Sequence, residues 1–169
     1  GNVMGSRGSV IPFFLSIAKS GVIPITDKKM TRFMISLEQG VALVWDAFNN
    51  MVGGEIYVKK IPSINILDIA KAVSHDAKIE IVGMRPGEKL HEQMIGIEDA
   101  KFTFEYPDYY KILPSIHQWN EDAFRINKGK KVPLDFTYTS DNNKSWMSSA
   151  DLKIWIDENK KHMLKVSNP

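Results

Sequence analysis

The sequence predicts an α/β fold, and three observations carry that expectation. Helical and extended patterns alternate along the first half of the chain. The segment "SLEQGVALVWDAFNN" places Leu37, Val41, Val44, Trp45 and Phe48 on one face of a helix. Two short apolar runs, "GGEIYV" and "KIEIVGM", read as strands. Two strands of a parallel sheet cannot cover their own faces. The chain is therefore expected to be the C-terminal part of a bigger α/β protein.

Each element has a local reason. "RGSVIPFFLSIAKSG" reads as a helix, with Ser9 as cap, Pro12 early enough to be tolerated and Gly21 closing it. "VIPIT" is a short extended piece, and "TDKKMTRFMIS" is a polar turn followed by extended residues. Ser36 and Gln39 have capping-box spacing at the head of helix 36–50. Strands over 55–58 and 79–83 are expected to be buried on both faces. "NILDIAKAV" is a short helix with Asn65 as cap and Ile66, Ile69, Ala70 and Val73 inward. Residues 98–147 read as irregular, with short strands near "KFTFE" and "YYKIL". "SSADLKIWIDENKKHM" closes the pattern as an amphipathic helix begun by Ser148 with Asp151, burying Leu152, Trp155 and Ile156. Trp45, Phe48 and Trp155 are assigned to core and given no ligand role.

Composition narrows the function. The chain has 169 residues, 43% of them hydrophobic and 25% charged, as in an ordinary globular domain. Its net charge of +2 is too small to argue for a nucleic-acid surface. The absence of cysteine excludes disulfides and thiolate metal sites. No apolar run approaches the ~20 residues of a membrane span, and no signal-peptide pattern opens the sequence. A soluble cytoplasmic protein is the expectation.

Several chemistries lack their residues. No G-x-G-x-x-G turn is present for a dinucleotide. None of Tyr57, Tyr106, Tyr109, Tyr110 and Tyr138 is followed four positions later by lysine, the pair that exchanges protons in short-chain dehydrogenases. His75, His91, His117 and His162 have no ligand spacing, so structural roles are expected for them.

Two arginines stand out. Arg85 follows the "KIEIVGM" strand, with Pro86 and Gly87 forcing a turn, and ligands of α/β folds gather at the carboxyl ends of strands. Arg32 lies among extended apolar residues. A guanidinium can grip phosphate through two parallel charge-assisted hydrogen bonds, and Glu88 can accept from ribose hydroxyls. The competing reading makes Arg85 a surface turn residue and pairs Arg32 with Asp27 or Glu38. Spacing alone slightly favours the second reading. At the start of the chain, Asn2, Gly5, Ser6, Gly8 and Ser9 form a small polar turn. The amides of Gly8 and Ser9 stand ready for negative charge, or else simply head a helix.

Taken together, "GNVMGSRGSVIPFF", "IPITDKKMTRFMISLEQGV", "GGEIYVKKIPS", "MRPGEKLHEQMI" and "FTYTSDNNKSWM" closely resemble one family, in order and over nearly the whole chain. It is the inverting UDP-N-acetylglucosamine 4,6-dehydratases of pseudaminic acid synthesis. These are extended short-chain dehydrogenases with a Rossmann-like α/β fold, close to the CapD-like polysaccharide enzymes. The resemblance implies that residues 1–169 are the C-terminal sugar-nucleotide-binding part, with the last sheet elements. The half that binds most of the NADP and carries the catalytic residues would lie upstream. It further implies that Asn2 faces the substrate and Val3 lies near the nicotinamide. Gly8, Ser9, Val10, Ile11 and Pro12 would line the sugar-nucleotide side. Ile25 and Thr26 would border the uracil, Arg32 and Arg85 would hold the diphosphate or its flanking groups, and Glu88 the ribose. The complete enzyme would oxidise carbon 4 of the sugar, eliminate water across carbons 5 and 6, and return hydride to carbon 6 with inversion at carbon 5. The expected partners are a UDP-sugar and further copies of the chain, with no nucleic acid and no membrane. The present chain alone would be inactive. Two alternatives stay open: a sister dehydratase or UDP-sugar epimerase, and a non-catalytic sugar-nucleotide-binding or assembly module.

Overall fold

The computed structural model describes residues 2–116 and 118–167. His117 and the side chains of Asn2 and His162 lie outside the described residues. The strands are β1 (Asn2–Val3), β2 (Val22–Ile25), β3 (Thr31–Ile35), β4 (Ile56–Lys59), β5 (Ser63–Asn65), β6 (Lys78–Ile81), β7 (Gln93–Ile95), β8 (Thr103–Glu105), β9 (Tyr109–Ile112), β10 (Lys130–Lys131) and β11 (Tyr138–Thr139). The helices are α1 (Val10–Ile17), α2 (Leu37–Asn50), α3 (Ile66–Val73), α4 (Ile97–Ala100), α5 (Ala123–Ile126) and α6 (Ser149–Ser167). They form two compact units. The first takes the chain up to Ser36, Pro62–Glu92 and the segment from Ser140 onward; the second takes Leu37–Ile61 and Gln93–Thr139.

In the first unit β3 is central, parallel to β1 and antiparallel to β5. A separate parallel pair joins β2 to β6, Val22 opposite Lys78 and Ile25 opposite Ile81. Helices α1, α3 and α6 pack on one another, and their apolar stripes close a core with the strands. Ile11, Phe14, Ile23, Ile25, Ile69 and Leu152 are among its buried members. Local chemistry explains the helices. Asn65 accepts the Leu67 amide at 2.8 Å and starts α3, as expected. Ser148 and Asp151 exchange hydrogen bonds at the head of α6, whose Leu152 and Ile156 are buried while Trp155 is half-buried. Ser9 precedes α1, but its hydroxyl donates to the Ser6 carbonyl at 2.7 Å instead of capping the helix.

A buried polar seam ties distant segments of this unit together. The hydroxyls of Thr31 and Ser140 share a hydrogen bond of 2.6 Å, and Thr31 meets His91 Nδ1 at 2.8 Å. The Glu92 amide donates to Ser140 Oγ at 2.9 Å. Burying hydroxyls is tolerable here because each has a partner.

The second unit is built on an antiparallel sheet of order β10-β8-β9-β4, with β7 and β11 paired beside it. The strands expected near "KFTFE" and "YYKIL" are β8 and β9. Lys111 of β9 is buried, 2% exposed, with its ammonium over the rings of Tyr57 and Tyr106. Its Nζ donates to the Arg125 carbonyl at 2.8 Å. The fully buried carboxylate of Glu55 accepts from the amides of Val52 and Gly53 and pairs with Arg125 at 3.3 Å. Gly54 has φ +84°, and a Cβ there would meet Pro114 Cγ at 2.9 Å, so the turn before β4 requires glycine.

Two expectations are corrected. The apolar stripe of α2 is real, but no residue of α2 is buried, and Trp45 is 64% exposed. Its periodicity identified an apolar face without identifying a cover for it. Strands β4 and β6 are likewise not buried on both faces. Ile56 and Ile81 are exposed, because β4 and β6 each pair with one neighbour and hold a sheet edge.

Candidate functional site

Within the first unit, the β1–α1 turn, the carboxyl end of β2 and the turn after β6 surround a cavity of about 650 Å³. Three elements bring side chains to it. The first is α1, begun after a turn in which Gly5 and Gly8 both have φ 74°, a region closed to most other residues. Gly8, Val10 and Pro12 line the cavity. The second is β2, which delivers Ile25 and then Thr26. The third is the Arg85-Pro86-Gly87-Glu88 turn, where Gly87 takes φ 80°. The Glu88 amide donates to the Arg85 carbonyl at 3.1 Å, and the Arg85 amide donates to Glu88 Oε2 at 3.2 Å. Arg85 and Glu88 are thereby fixed on the cavity wall by their own turn.

The two predicted arginines reach the same cavity in different states. Arg85 is exposed, with its guanidinium in no hydrogen bond or ion pair among the described residues. Arg32 is 14% exposed and committed. Its Nη1 donates to the carbonyls of Thr31 and Leu90, at 2.7 and 3.2 Å, and its Nε lies 3.8 Å from Glu92 Oε1. Its acidic partner is Glu92, not Asp27 or Glu38. Glu92 in turn accepts the Phe33 amide at 3.1 Å, so Arg32 is held as a rigid positive wall.

Of the predicted residues, Gly8, Val10, Pro12, Ile25, Thr26, Arg32, Arg85 and Glu88 come together on this cavity. Ile11 does not. Consecutive residues of a helix point in different directions, and Ile11, 1% exposed, faces the core. Ser9 is turned onto Ser6, and its amide, expected to face negative charge, also donates to the Ser6 carbonyl. Val3 lies on β1, half-buried, apart from the cavity lining. The sequence reading passed over Arg7, Phe13 and Val82, which also line the cavity. Arg7 had a signal: an unpaired cation in the same glycine turn as Gly8. Among the described residues no cluster of histidine and carboxylate side chains could hold a metal ion. No helix among them is long and apolar enough to cross a membrane.

Comparison with known proteins shows the family. Residues 1–114 match the family model described as polysaccharide biosynthesis protein. The chain belongs to that family. It is 50% identical, over 159 residues, to the UDP-N-acetylglucosamine 4,6-dehydratase (inverting) of Campylobacter jejuni serotype O:2, covering 90% of this chain and 48% of that protein. It is also 42% identical over 149 residues to the UDP-glucose 4-epimerase of Rickettsia conorii, covering 85% of this chain and 44% of the relative. Among solved structures, Pen from Bacillus thuringiensis superposes with a TM-score of 0.76 at 32% identity, over 95% of this chain and 47% of that one. The α/β fold of the extended short-chain dehydrogenase kind is borne out, as is the resemblance to the inverting dehydratases. The chain spans about half the length of the curated relatives it matches.

Proposed function

We propose that this chain is the sugar-nucleotide-binding part of an NADP-dependent, inverting UDP-N-acetylglucosamine 4,6-dehydratase of surface-glycan synthesis, of the pseudaminic acid kind. One observation carries the reading: eight residues assigned from the sequence to UDP-sugar contact line a single cavity. The names of the Campylobacter relatives agree with it.

In this reading the Arg85 fork takes the diphosphate, with no competing carboxylate to release first among the described residues. Arg32, neutralised in part by Glu92, adds fixed positive potential without moving. Glu88 keeps lone pairs for a ribose hydroxyl beyond those used by Thr26 and Arg85. Ile25, Phe13 and Val82 provide apolar wall for a pyrimidine ring. Orienting the sugar is the contribution of this part, since hydride transfer tolerates little misplacement.

A nicotinamide cofactor supplies the acceptance and return of hydride when bound. The β1–α1 turn does not fit its diphosphate. Gly5 and Gly8 carry the positive φ of a dinucleotide turn, but Val3 stands where the first glycine of that fingerprint belongs. No step is therefore assigned to the cofactor in this chain, and Val3 is retained only as a neighbour of the nicotinamide.

Calorimetry of the purified chain with UDP tests the reading. Binding of UDP with no turnover of UDP-N-acetylglucosamine is expected. Failure to bind UDP overturns the site, and measurable turnover overturns the division of labour. The Rickettsia relatives favour a second reading, a UDP-sugar epimerase with the same nucleotide grip. Product analysis of the longer protein separates the two, a 4-keto-6-deoxy sugar against a 4-epimer.

A further inference from the structure

We infer that Arg7 is a second phosphate-binding arginine of this cavity, acting with Arg85; the inference rests on the nucleotide reading above. Arg7 lies in the turn between β1 and α1 and lines the cavity beside Gly8. It is exposed, and its guanidinium has no hydrogen bond or ion pair among the described residues. The space beside it is open, since a Cβ added at Gly8 would meet nothing within 4 Å.

Charge accounting around the cavity points to a dianion. Its charged lining residues are Arg7, Arg32, Arg85 and Glu88. Arg32 Nη1 donates to the Thr31 and Leu90 carbonyls, its Nη2 donates to Met30 Sδ, and its Nε faces Glu92. Glu88 is the single carboxylate among the lining residues, and it is already accepting from Thr26 and from the Arg85 amide. Among the described residues, the guanidinium forks of Arg7 and Arg85 then remain uncommitted, carried by segments far apart in sequence. Each can make paired charge-assisted hydrogen bonds to phosphate oxygens. A diphosphate has oxygens for both forks; a neutral sugar has no use for either. The recognised chemistry is a diphosphate ester, and Arg7 is a binding residue rather than a catalytic one.

Titration of UDP, pyrophosphate and uridine into the chain and its Arg7→Gln and Arg7→Lys variants tests this. Arg7→Gln should weaken UDP and pyrophosphate tenfold or more and leave uridine unchanged, the range expected for one charge-assisted contact. Arg7→Lys should recover part of the loss. Both variants should unfold at the wild-type denaturant midpoint, because the Arg7 guanidinium has no hydrogen bond or ion pair among the described residues. Wild-type affinity of Arg7→Gln for UDP overturns the inference. Pyrophosphate binding that needs Arg7, without any preference for UDP, keeps it and overturns the nucleotide reading. Binding of neither ligand by the wild-type chain overturns both.

Discussion

Thr26 donates its hydroxyl to Glu88 Oε1 at 3.0 Å, joining residues 62 apart in sequence. This bond links the end of β2 to the turn after β6, just where their paired strands stop. Glu88 therefore shapes the site as well as facing it. A double-mutant cycle with Thr26→Val and Glu88→Ala should show a coupling of about 0.5–1.5 kcal/mol in urea unfolding. Strict additivity would mean the bond contributes nothing in solution.

The two predicted arginines should separate cleanly. Arg85→Lys should weaken UDP binding by about 1–3 kcal/mol, since lysine lacks the planar fork, and should shift stability by less than about 0.5 kcal/mol. Arg32→Ala removes donors from two backbone carbonyls and the partner of Glu92. It should cost stability, about 1–3 kcal/mol, before any effect on ligand is counted. Calorimetry and urea unfolding on the same samples read both. Equal stability of the two variants would contradict the geometry.

The tyrosine cluster around Lys111 sets an alkaline limit for the second unit. Burial, helped by the charge of Glu55 and by neighbouring tyrosines, pushes Tyr57 and Tyr106 up to about 12. Burial also pulls Lys111 below the usual lysine range, against the opposing charge of Glu55. A phenol raised in the fold is protonated in the folded state after it has ionised in the unfolded chain. Its contribution is therefore complete below about pH 10 and is lost as pH rises toward about 12. Stability followed by circular dichroism should fall across that window, with phenolate absorbance of Tyr57 and Tyr106 appearing only on unfolding. Phenolate formation in a folded chain near pH 10 would show that the cluster is open.

The bare face of α2 has a colloidal consequence. Leu37, Val41, Val44, Trp45 and Phe48 are all exposed on one helix. Contiguous apolar surface of that kind favours association. The isolated chain is expected to self-associate with rising concentration, and Trp45→Glu is expected to lower its mass in light scattering. A monomeric wild-type chain at high concentration would rule this out.

Much of the first unit was legible because its signals are local. Asn65, Ser148 with Asp151, and the stripe of α3 each act within one or two turns. Eight residues assigned to the site from the sequence line one cavity, and the glycine turn and the arginine at a strand end that mark it are local features too. What stayed hidden depends on partners far along the chain. Nothing near Arg32 announces Glu92, and nothing near "VIPIT" announces β6 as its mate. Ile11 lies in the core instead of on the cavity: the resemblance implied a run of consecutive residues, and a helix turns each side chain away from the last. Trp45 and Phe48 show a further limit. Periodicity says which face is apolar, whereas burial depends on what arrives to meet it.

The hydrogen bond between Thr31 and Ser140 spans 109 residues. The first unit can thus close only after the whole of the second has been synthesised. During translation, β2 can pair with β6 and α1 can pack on α3 as soon as those segments emerge, whereas α6 and the Ser140 bond come last. Loop-closure entropy is paid before any of these distant contacts returns a gain. The last steps in closing this unit should therefore be governed by the arrival of its final segment, after β2 and β6 have already met.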